Sequence, residues 1–113
     1  MASIDFTRAA AFIAAVPEGR WTTYGDAARA GGVPAQHGGQ TIGEWLRRQG
    51  HTVPHVYRVL TVDGYVSDGF RPAGRGVPAD QERVRDVLRK EGVTINARGR
   101  ASKRQRFHSD DWH

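Results

Sequence analysis

Apolar residues recur at helical spacing in four places along the chain, with short β-forming runs between them. Phe6, Ala9, Ala10 and Ile13 share one face of a helix that runs to about Val16. Ser3 or Asp5 can accept its first free amides, and Pro17-Glu18-Gly19 ends it. Arg20 to Thr22 is a short strand or an extended link. A second helix starts at Thr23, where Asp26 three residues on makes a weak capping box. Ala27, Ala28 and Ala30 give it a close-packing face, and Gly31-Gly32 stops it. Val33 to Gly39 is rich in turn formers and reads as a connector. Gln40 to Gln49 then reads as a third helix, with Ile42, Trp45 and Leu46 inward and Gly50 as its stop. Thr41, Glu44, Arg47 and Arg48 fall on its outer face, where Glu44 has the spacing to pair with either arginine.

Beyond Gly50 the pattern changes. His51 to His55 surrounds Pro54 and cannot be regular helix. Val56 to Val62 and Tyr65 to Ser67 flank Asp63-Gly64, a strong signal for a two-residue β-hairpin. Gly69 to Val77 reads as a loop carrying Arg71 and Arg75. Pro78 suits the start of a fourth helix, from about Ala79 to Glu91, with Val84, Val87 and Leu88 inward and Gly92 as its stop. Val93 to Asn96 is a short strand, and Arg98 to Arg106 is basic with no acid. The pattern predicts an α+β, mainly α chain: a winged helix-turn-helix with a small β-hairpin wing. Residues 1–97 form that domain and residues 98–113 a solvated basic tail. Trp21, Trp45 and Phe12 are expected in the core rather than as stacking platforms.

Composition narrows the function. A chain of 113 residues, 38% of them apolar and 9% aromatic, fits one globular domain with a modest core. No stretch approaches the roughly 18 apolar residues of a membrane span, so no membrane partner is expected. The apolar N-terminal patch has Asp5 ahead of Arg8 and no basic leader, and so reads as a helix rather than a signal peptide. The absence of cysteine removes disulfides, thiolate nucleophiles and cysteine metal sites. A cytoplasmic protein is the default expectation. The net charge is +5, and all the excess lies from Arg71 onward, in eleven basic residues against six acids. Only Lys90 and Lys103 are lysine, and arginine's planar fork suits phosphates and base edges. Nucleic acid is therefore the first partner to consider.

Enzyme chemistry finds little material. Ser3, Ser67, Ser102 and Ser109 sit in no nucleophile-elbow pattern, and neither a phosphate loop nor a dinucleotide fingerprint is present, so no cofactor is expected. Pro54 spoils the spacing of His51 and His55 for a metal, and His108, Asp110, Asp111 and His113 read as a frayed terminus. Binding is better supplied. The 40–49 helix has an apolar inner face and a polar, basic outer one, although a merely solvated charged face has the same pattern.

An ordered set of motifs adds to this. Val16-Pro-Glu-Gly-Arg-Trp-Thr-Thr-Tyr-Gly-Asp-Ala-Ala28, Gln40-Thr-Ile-Gly43, Tyr57-Arg-Val59, Asp63-Gly64 with Ser67, and Leu88-Arg-Lys-Glu-Gly-Val93 follow one another across residues 5–112. In this the chain resembles the DNA-binding domain of O6-alkylguanine-DNA alkyltransferases, and most of all their non-catalytic relatives, the alkyltransferase-like proteins. The resemblance implies a winged helix-turn-helix that binds the minor groove of duplex DNA and rotates a damaged guanine out of the stack. Tyr24 matches the tyrosine that presses on the phosphate of the rotated nucleotide, and Gly43 a small position in the recognition helix. Arg58 and Val59 match the Arg-Val after the active-site motif, and Tyr65 to Ser67 the border of the lesion pocket. The implied DNA-binding residues are Thr23, Tyr24, Gly25, Gln40, Thr41, Gly43, Arg47, Arg48 and Arg58. The implied lesion pocket is formed by Tyr24, Val56, Tyr57, Arg58, Val59, Tyr65 and Ser67.

Two departures stand out. The family's Pro-Cys-His-Arg-Val motif aligns with His55-Val56-Tyr57-Arg58-Val59, which puts Val56 at the alkyl-accepting cysteine and Tyr57 at the histidine that activates it. Alkyl transfer by the family mechanism is excluded, because no thiolate exists. The arginine that fills the gap left by the flipped base aligns with Gln40, which is shorter and uncharged. The expected function is a monomeric, cytoplasmic, nucleoid-associated DNA-binding protein that flips and holds O6-alkylguanine, with nucleotide-excision repair proteins as onward partners. A winged-helix regulator or nucleoid-type binder without lesion recognition is the alternative. A protein-interaction domain that no longer touches DNA is a third.

Overall fold

The computed structural model describes residues 3–49, 52–67 and 80–112. Its main elements are α1 (Phe6–Ala15), α2 (Tyr24–Ala30), α3 (Ala35–Gln49) and α4 (Gln81–Lys90), with two short strands, β1 (Thr22–Thr23) and β2 (Val59–Leu60). The strands pair in parallel, Thr22 opposite Val59 and Thr23 opposite Leu60. This is a mainly helical α+β fold.

Local sequence explains most boundaries. Asp5, not Ser3, caps α1 by accepting the Arg8 amide at 3.1 Å, and Asp80 caps α4 by accepting the Arg83 amide at 2.8 Å. Gly92 ends α4 as expected, at φ +106°. Its amide reaches Arg89 O at 3.0 Å and the Val93 amide reaches Leu88 O at 2.9 Å, the paired bonds of a Schellman stop. Phe12, Ile13, Trp21, Ile42, Val84 and Leu88 are buried in one core cluster. Trp21 and Phe12 are thus core residues, and the partly buried Trp45 packs on Phe6 with ring centroids 4.9 Å apart.

The structure departs from several expectations. The connector expected over Val33 to Gly39 is mostly helix, since α3 begins at Ala35. Pro34, which lacks an N–H, supplies the carbonyl that accepts from His37 and Gly38 at 3.0 and 3.1 Å. The glycines serve close packing rather than a turn. A Cβ at Gly38 would lie 2.5 Å from Val33 Cγ2 and 2.6 Å from Ala28 Cβ, and one at Gly25 would lie 2.9 Å from Ala35 Cβ.

The hairpin wing does not form among the described residues. Val56–Arg58 is a 3-10 turn, and only Val59 and Leu60 continue as strand, paired to β1. The Asp63-Gly64 turn exists, closed by Gly64 N to Thr61 O and Thr61 N to Tyr65 O, each 2.9 Å. Its outer backbone is satisfied by the C-terminal segment instead of a returning strand: Ala101 N donates to Gly64 O at 2.9 Å, and Arg100 Nε to Asp63 O at 2.8 Å. The strand expected over Val93 to Asn96 shrinks to one bridge between Ile95 and Ala101.

The basic C-terminal segment is not a solvated tail. Trp21 N donates to Gln105 O at 3.1 Å, Phe107 N to Trp21 O at 2.6 Å, and the Trp21 indole to Ser102 O at 2.8 Å. Phe107 is 7% exposed and stacks on Phe12 at 5.6 Å, and Trp112 meets the same ring edge-on. The expected fraying at 108–111 is a capped 3-10 turn, Ser109–Asp111. The apolar residues of this run, Ala101, Phe107 and Trp112, outweigh its charges in deciding where it lies. Gly50, His51, the 69–77 loop with Arg71 and Arg75, Pro78, Ala79 and His113 lie outside the described residues. No helix among those described is long and apolar enough to cross a membrane.

Candidate nucleic-acid interface

The strand-to-helix junction at Thr23 builds the site. Thr23 is the last residue of β1 and the cap of α2; its Oγ1 accepts the Asp26 amide at 3.0 Å. Tyr24 therefore becomes the first residue of α2, and its ring lies against α3. A Cβ added at Gly43 would stand 3.8 and 3.9 Å from Tyr24 Cδ1 and Cε1, so glycine leaves the ring room. Ser67, from beyond the Asp63-Gly64 turn, lies close to the phenol. Burial pushes the phenol above its ordinary value, against the lowering influence of Ser67 and the Arg47 charge, so it stays neutral at physiological pH.

A cleft of about 610 Å³ opens here. Thr23 and α2 form one wall, with Tyr24, Gly25 and Asp26 in its first turn and Arg29 in its last, and α3 the other with Gln36, Gly39, Gln40, Gly43 and Arg47. Thr61, Val62, Ser67 and Arg106 close it. Seven residues predicted for function converge in it: Thr23, Tyr24, Gly25, Gln40, Gly43, Arg47 and Ser67. Gln40 lies inside α3 rather than at its start, and is exposed. Thr41 and Arg48 are exposed on α3 but do not line the cleft. Arg29, Arg47 and Glu44 form no ion pair with a described residue, and both arginines are exposed.

The remaining predicted pocket residues lie elsewhere. Val56 is 2% exposed in the core, as is its neighbour Val59. Arg58 is also buried, and it grips Glu91 through Nε to Oε1 at 3.0 Å and Nη2 to Oε2 at 2.9 Å. Its Nη1 donates to Val16 O at 2.7 Å, which joins the end of α1 to the end of α4. Tyr57 donates its hydroxyl to the same carboxylate. Burial and this bond push the Tyr57 phenol up to about 12. Burial alone would raise the Glu91 carboxyl, but bonds from Arg58 and Tyr57 hold it below the ordinary range. Arg58 and Tyr57 hold the fold together and do not line the cleft. Tyr65 is 38% exposed and lines a different hollow.

Sequence reasoning missed Asp26 and Arg106. Asp26 is 2% exposed beneath Tyr24. Its carboxylate accepts Thr23 Oγ1 at 2.8 Å, Arg106 Nε and Nη2 at 3.0 and 2.8 Å, and the Ser109 amide at 3.3 Å. Asp26 was visible only as a capping-box partner. The signal for more was a lone acid in an alanine-rich helix, answered by arginine inside an aromatic-bearing C-terminal run. Among the described residues no group of three histidines and acids converges; His55 Nδ1 lies 2.8 Å from Ala14 O. The cleft offers a phenol, hydroxyls, an amide and guanidinium groups, and its carboxylate is held by Arg106. These are the means of holding a polyanion and a polar heterocycle.

No protein-family model matches the chain, and no curated relative matches it by sequence. A solved structure does. S. pombe Atl1, crystallised in complex with damaged DNA containing O6-carboxymethylguanine, superposes with a TM-score of 0.62 at 25% identity. The match covers 86% of this chain and 85% of that one. In fold as well as in the order of its motifs, the chain resembles the alkyltransferase-like proteins.

Proposed function

We propose that this chain is a non-enzymatic DNA-binding protein of the alkyltransferase-like type. Duplex DNA lies across the Tyr24 cleft with its minor groove over α3. Tyr24 presses on a phosphate, and the nucleotide beside it, an O6-alkylguanine, turns into the cleft. The observation that carries this reading is the seating of Tyr24: it starts α2, lies over Gly43 and faces a cavity flanked by Arg29, Arg47 and Ser67. At about 610 Å³ the cavity falls within the roughly 300–1,000 Å³ of small-molecule sites, ample for one base. The protein with the similar fold was crystallised on DNA carrying such a lesion. Gln40, on the same cleft, hydrogen-bonds the base left without a partner. Extrusion costs a few kcal/mol, less at a damaged pair, and this favours the lesion. With no cysteine the protein holds the base without accepting its alkyl group. It acts as a cytoplasmic, nucleoid-associated monomer that passes the held lesion to nucleotide-excision repair proteins.

The test is 2-aminopurine fluorescence at the position to be flipped. The intact protein and Tyr24→Phe, which keeps the ring, should brighten the probe on binding; Tyr24→Ala should bind without brightening it. Equal, unchanged fluorescence in all three would remove base flipping.

One observation favours a second reading. Gln40 brings no charge to the cleft, and Val56 is packed in the core rather than lining it. A winged-helix regulator or nucleoid-type binder keeps the same grip on DNA without extruding a base. It is distinguished by a steep salt slope together with a silent 2-aminopurine probe.

A further inference from the structure

Behind the cleft, the Thr61–Tyr65 turn has a second concave side. This hollow, of about 420 Å³, is lined by Thr61, Asp63, Tyr65, Gln81, Arg85 and Arg98, among others. Thr61 also lines the cleft, so a single turn separates the two. We propose that Arg85 and Arg98 form a second phosphate-binding site, which takes the DNA backbone where it runs beyond the Tyr24 cleft. The inference rests on duplex DNA occupying that cleft.

The two arginines come from different elements and are brought together. Arg85 projects from α4, and its side chain passes over Gly99: a Cβ there would stand 3.5 Å from Arg85 Cδ and 3.8 Å from Nη1. Arg98 is the residue just before that glycine. The loop carrying it is fixed at both ends. Asn96 Oδ1 accepts the Arg98 and Arg100 amides at 3.0 and 2.9 Å, and Arg100 Nε reaches Asp63 O at 2.8 Å. The backbone that carries Arg98 is therefore fixed beside Arg85 before any ligand arrives.

The neighbouring cations are already engaged. Arg83 pairs with Asp80, Arg89 with Asp86, Arg106 with Asp26 and Arg58 with Glu91. Arg85 and Arg98 have no ion-pair partner among the described residues, and the Asp63 carboxylate in the same hollow is in ion-pair range of neither. Two guanidinium groups that line one hollow repel each other, and an anion between them relieves this. Tyr65, on the same rim, adds a hydroxyl donor. The phosphodiester backbone is favoured over an acidic protein because the hollow adjoins the cleft. With a longest extent of 41 Å for the whole molecule, both sites fall within little more than one duplex turn of about 34 Å.

The experiment measures binding by fluorescence anisotropy over a range of salt, on duplexes of about 20 and about 8 base pairs. On the long duplex, the double variant Arg85→Gln/Arg98→Gln should lower the slope of log K against log salt by about 2, at roughly 0.9 per phosphate contact. On the short duplex its slope should stay as it is, while Arg47→Gln lowers both. Arg98→Gln alone, at an exposed position, should give about half the change and guards against a folding effect at Arg85. Arg85→Lys/Arg98→Lys should retain the slope. An unchanged long-duplex slope in the double variant overturns the second site and leaves the cleft standing. So does loss of an acidic peptide, polyglutamate, from the double variant with duplex binding intact, which reassigns the arginines to a protein partner. If Arg47→Gln leaves both slopes unchanged while the double variant still flattens the long-duplex slope, the arginines hold phosphate and the cleft reading falls. Absence of any duplex binding overturns both.

Discussion

Replacing Glu91 by glutamine separates fold from function at Arg58. The Arg58 and Glu91 side chains are 6% and 13% exposed and share two hydrogen bonds. A solvent-exposed pair contributes about 0–1 kcal/mol, but removing one partner of a buried pair costs about 3–5 kcal/mol, because the other charge is left uncompensated. Glutamine keeps one acceptor for Arg58 or Tyr57, so the expected loss is at the low end, about 3 kcal/mol. At roughly 4 °C per kcal/mol for a domain of this size, the melting temperature should fall by about 12 °C. The loss should also depend on pH. Glu91 titrates below its ordinary value of 4.5 in the fold. Its contribution is therefore present above 4.5 and disappears as pH falls through the lower folded value. Tyr57, raised from 10.0 to about 12, behaves oppositely: its contribution is present below 10.0 and lost as pH rises through about 12. Urea unfolding of the parent and Glu91→Gln at pH 7 and at pH 3 measures the gap, which should be near 3 kcal/mol at pH 7 and narrow at pH 3. A gap under about 1 kcal/mol at pH 7, or one of equal size at both pH values, refutes the buried-pair reasoning. DNA affinity of the folded variant should match the parent; a loss there returns Arg58 to the interface.

Three further outcomes are expected. Gly38→Ala should destabilise by about 1–3 kcal/mol despite the better helix propensity of alanine, because its methyl meets Val33 and Ala28; Gly43→Ala, whose methyl only touches the Tyr24 ring, should be neutral or stabilise by up to about 1 kcal/mol, and thermal melts of the two must diverge. Arg106→Gln leaves the Asp26 carboxylate buried without its cation and should cost about 3 kcal/mol by urea unfolding, with DNA affinity falling as the Thr23–Tyr24 junction loosens. A chain ending at Ala97 should show no cooperative melt by circular dichroism, since it loses Phe107 and Ala101 from the core and every bond from Trp21 to that segment. A near-parental melt would restore the C-terminal residues to a tail.

Where the sequence was legible, a local rule had no rival. Thr23 caps α2, Gly92 stops α4, and Ala9, Ile13, Ile42, Val84 and Leu88 form the core because their periodicity leaves one face to bury. Where it misled, distant partners decided. Gly38 and Gly39 look like turn residues until Ala28 and Val33 are brought against the first and Gly25 against the second. Val56 to Val62 looks like half a hairpin until Thr22–Thr23 pairs with Val59–Leu60 and Ala101 takes the carbonyl of Gly64 in the turn. Of the residues expected at the site, Tyr24, Gln40, Gly43, Arg47 and Ser67 line one cleft between two helices and one turn. Arg58 was misassigned and Arg106 overlooked, because their partners Glu91 and Asp26 lie 33 and 80 residues away in the chain.

The most direct test of the cleft as a lesion-holding DNA site is binding to two duplexes of identical sequence, one with a single O6-methylguanine, at two salt concentrations. Tighter binding to the lesion duplex is expected at both, with the preference abolished by Tyr24→Ala. Equal affinities for the two duplexes would contradict lesion recognition and leave a generic DNA grip.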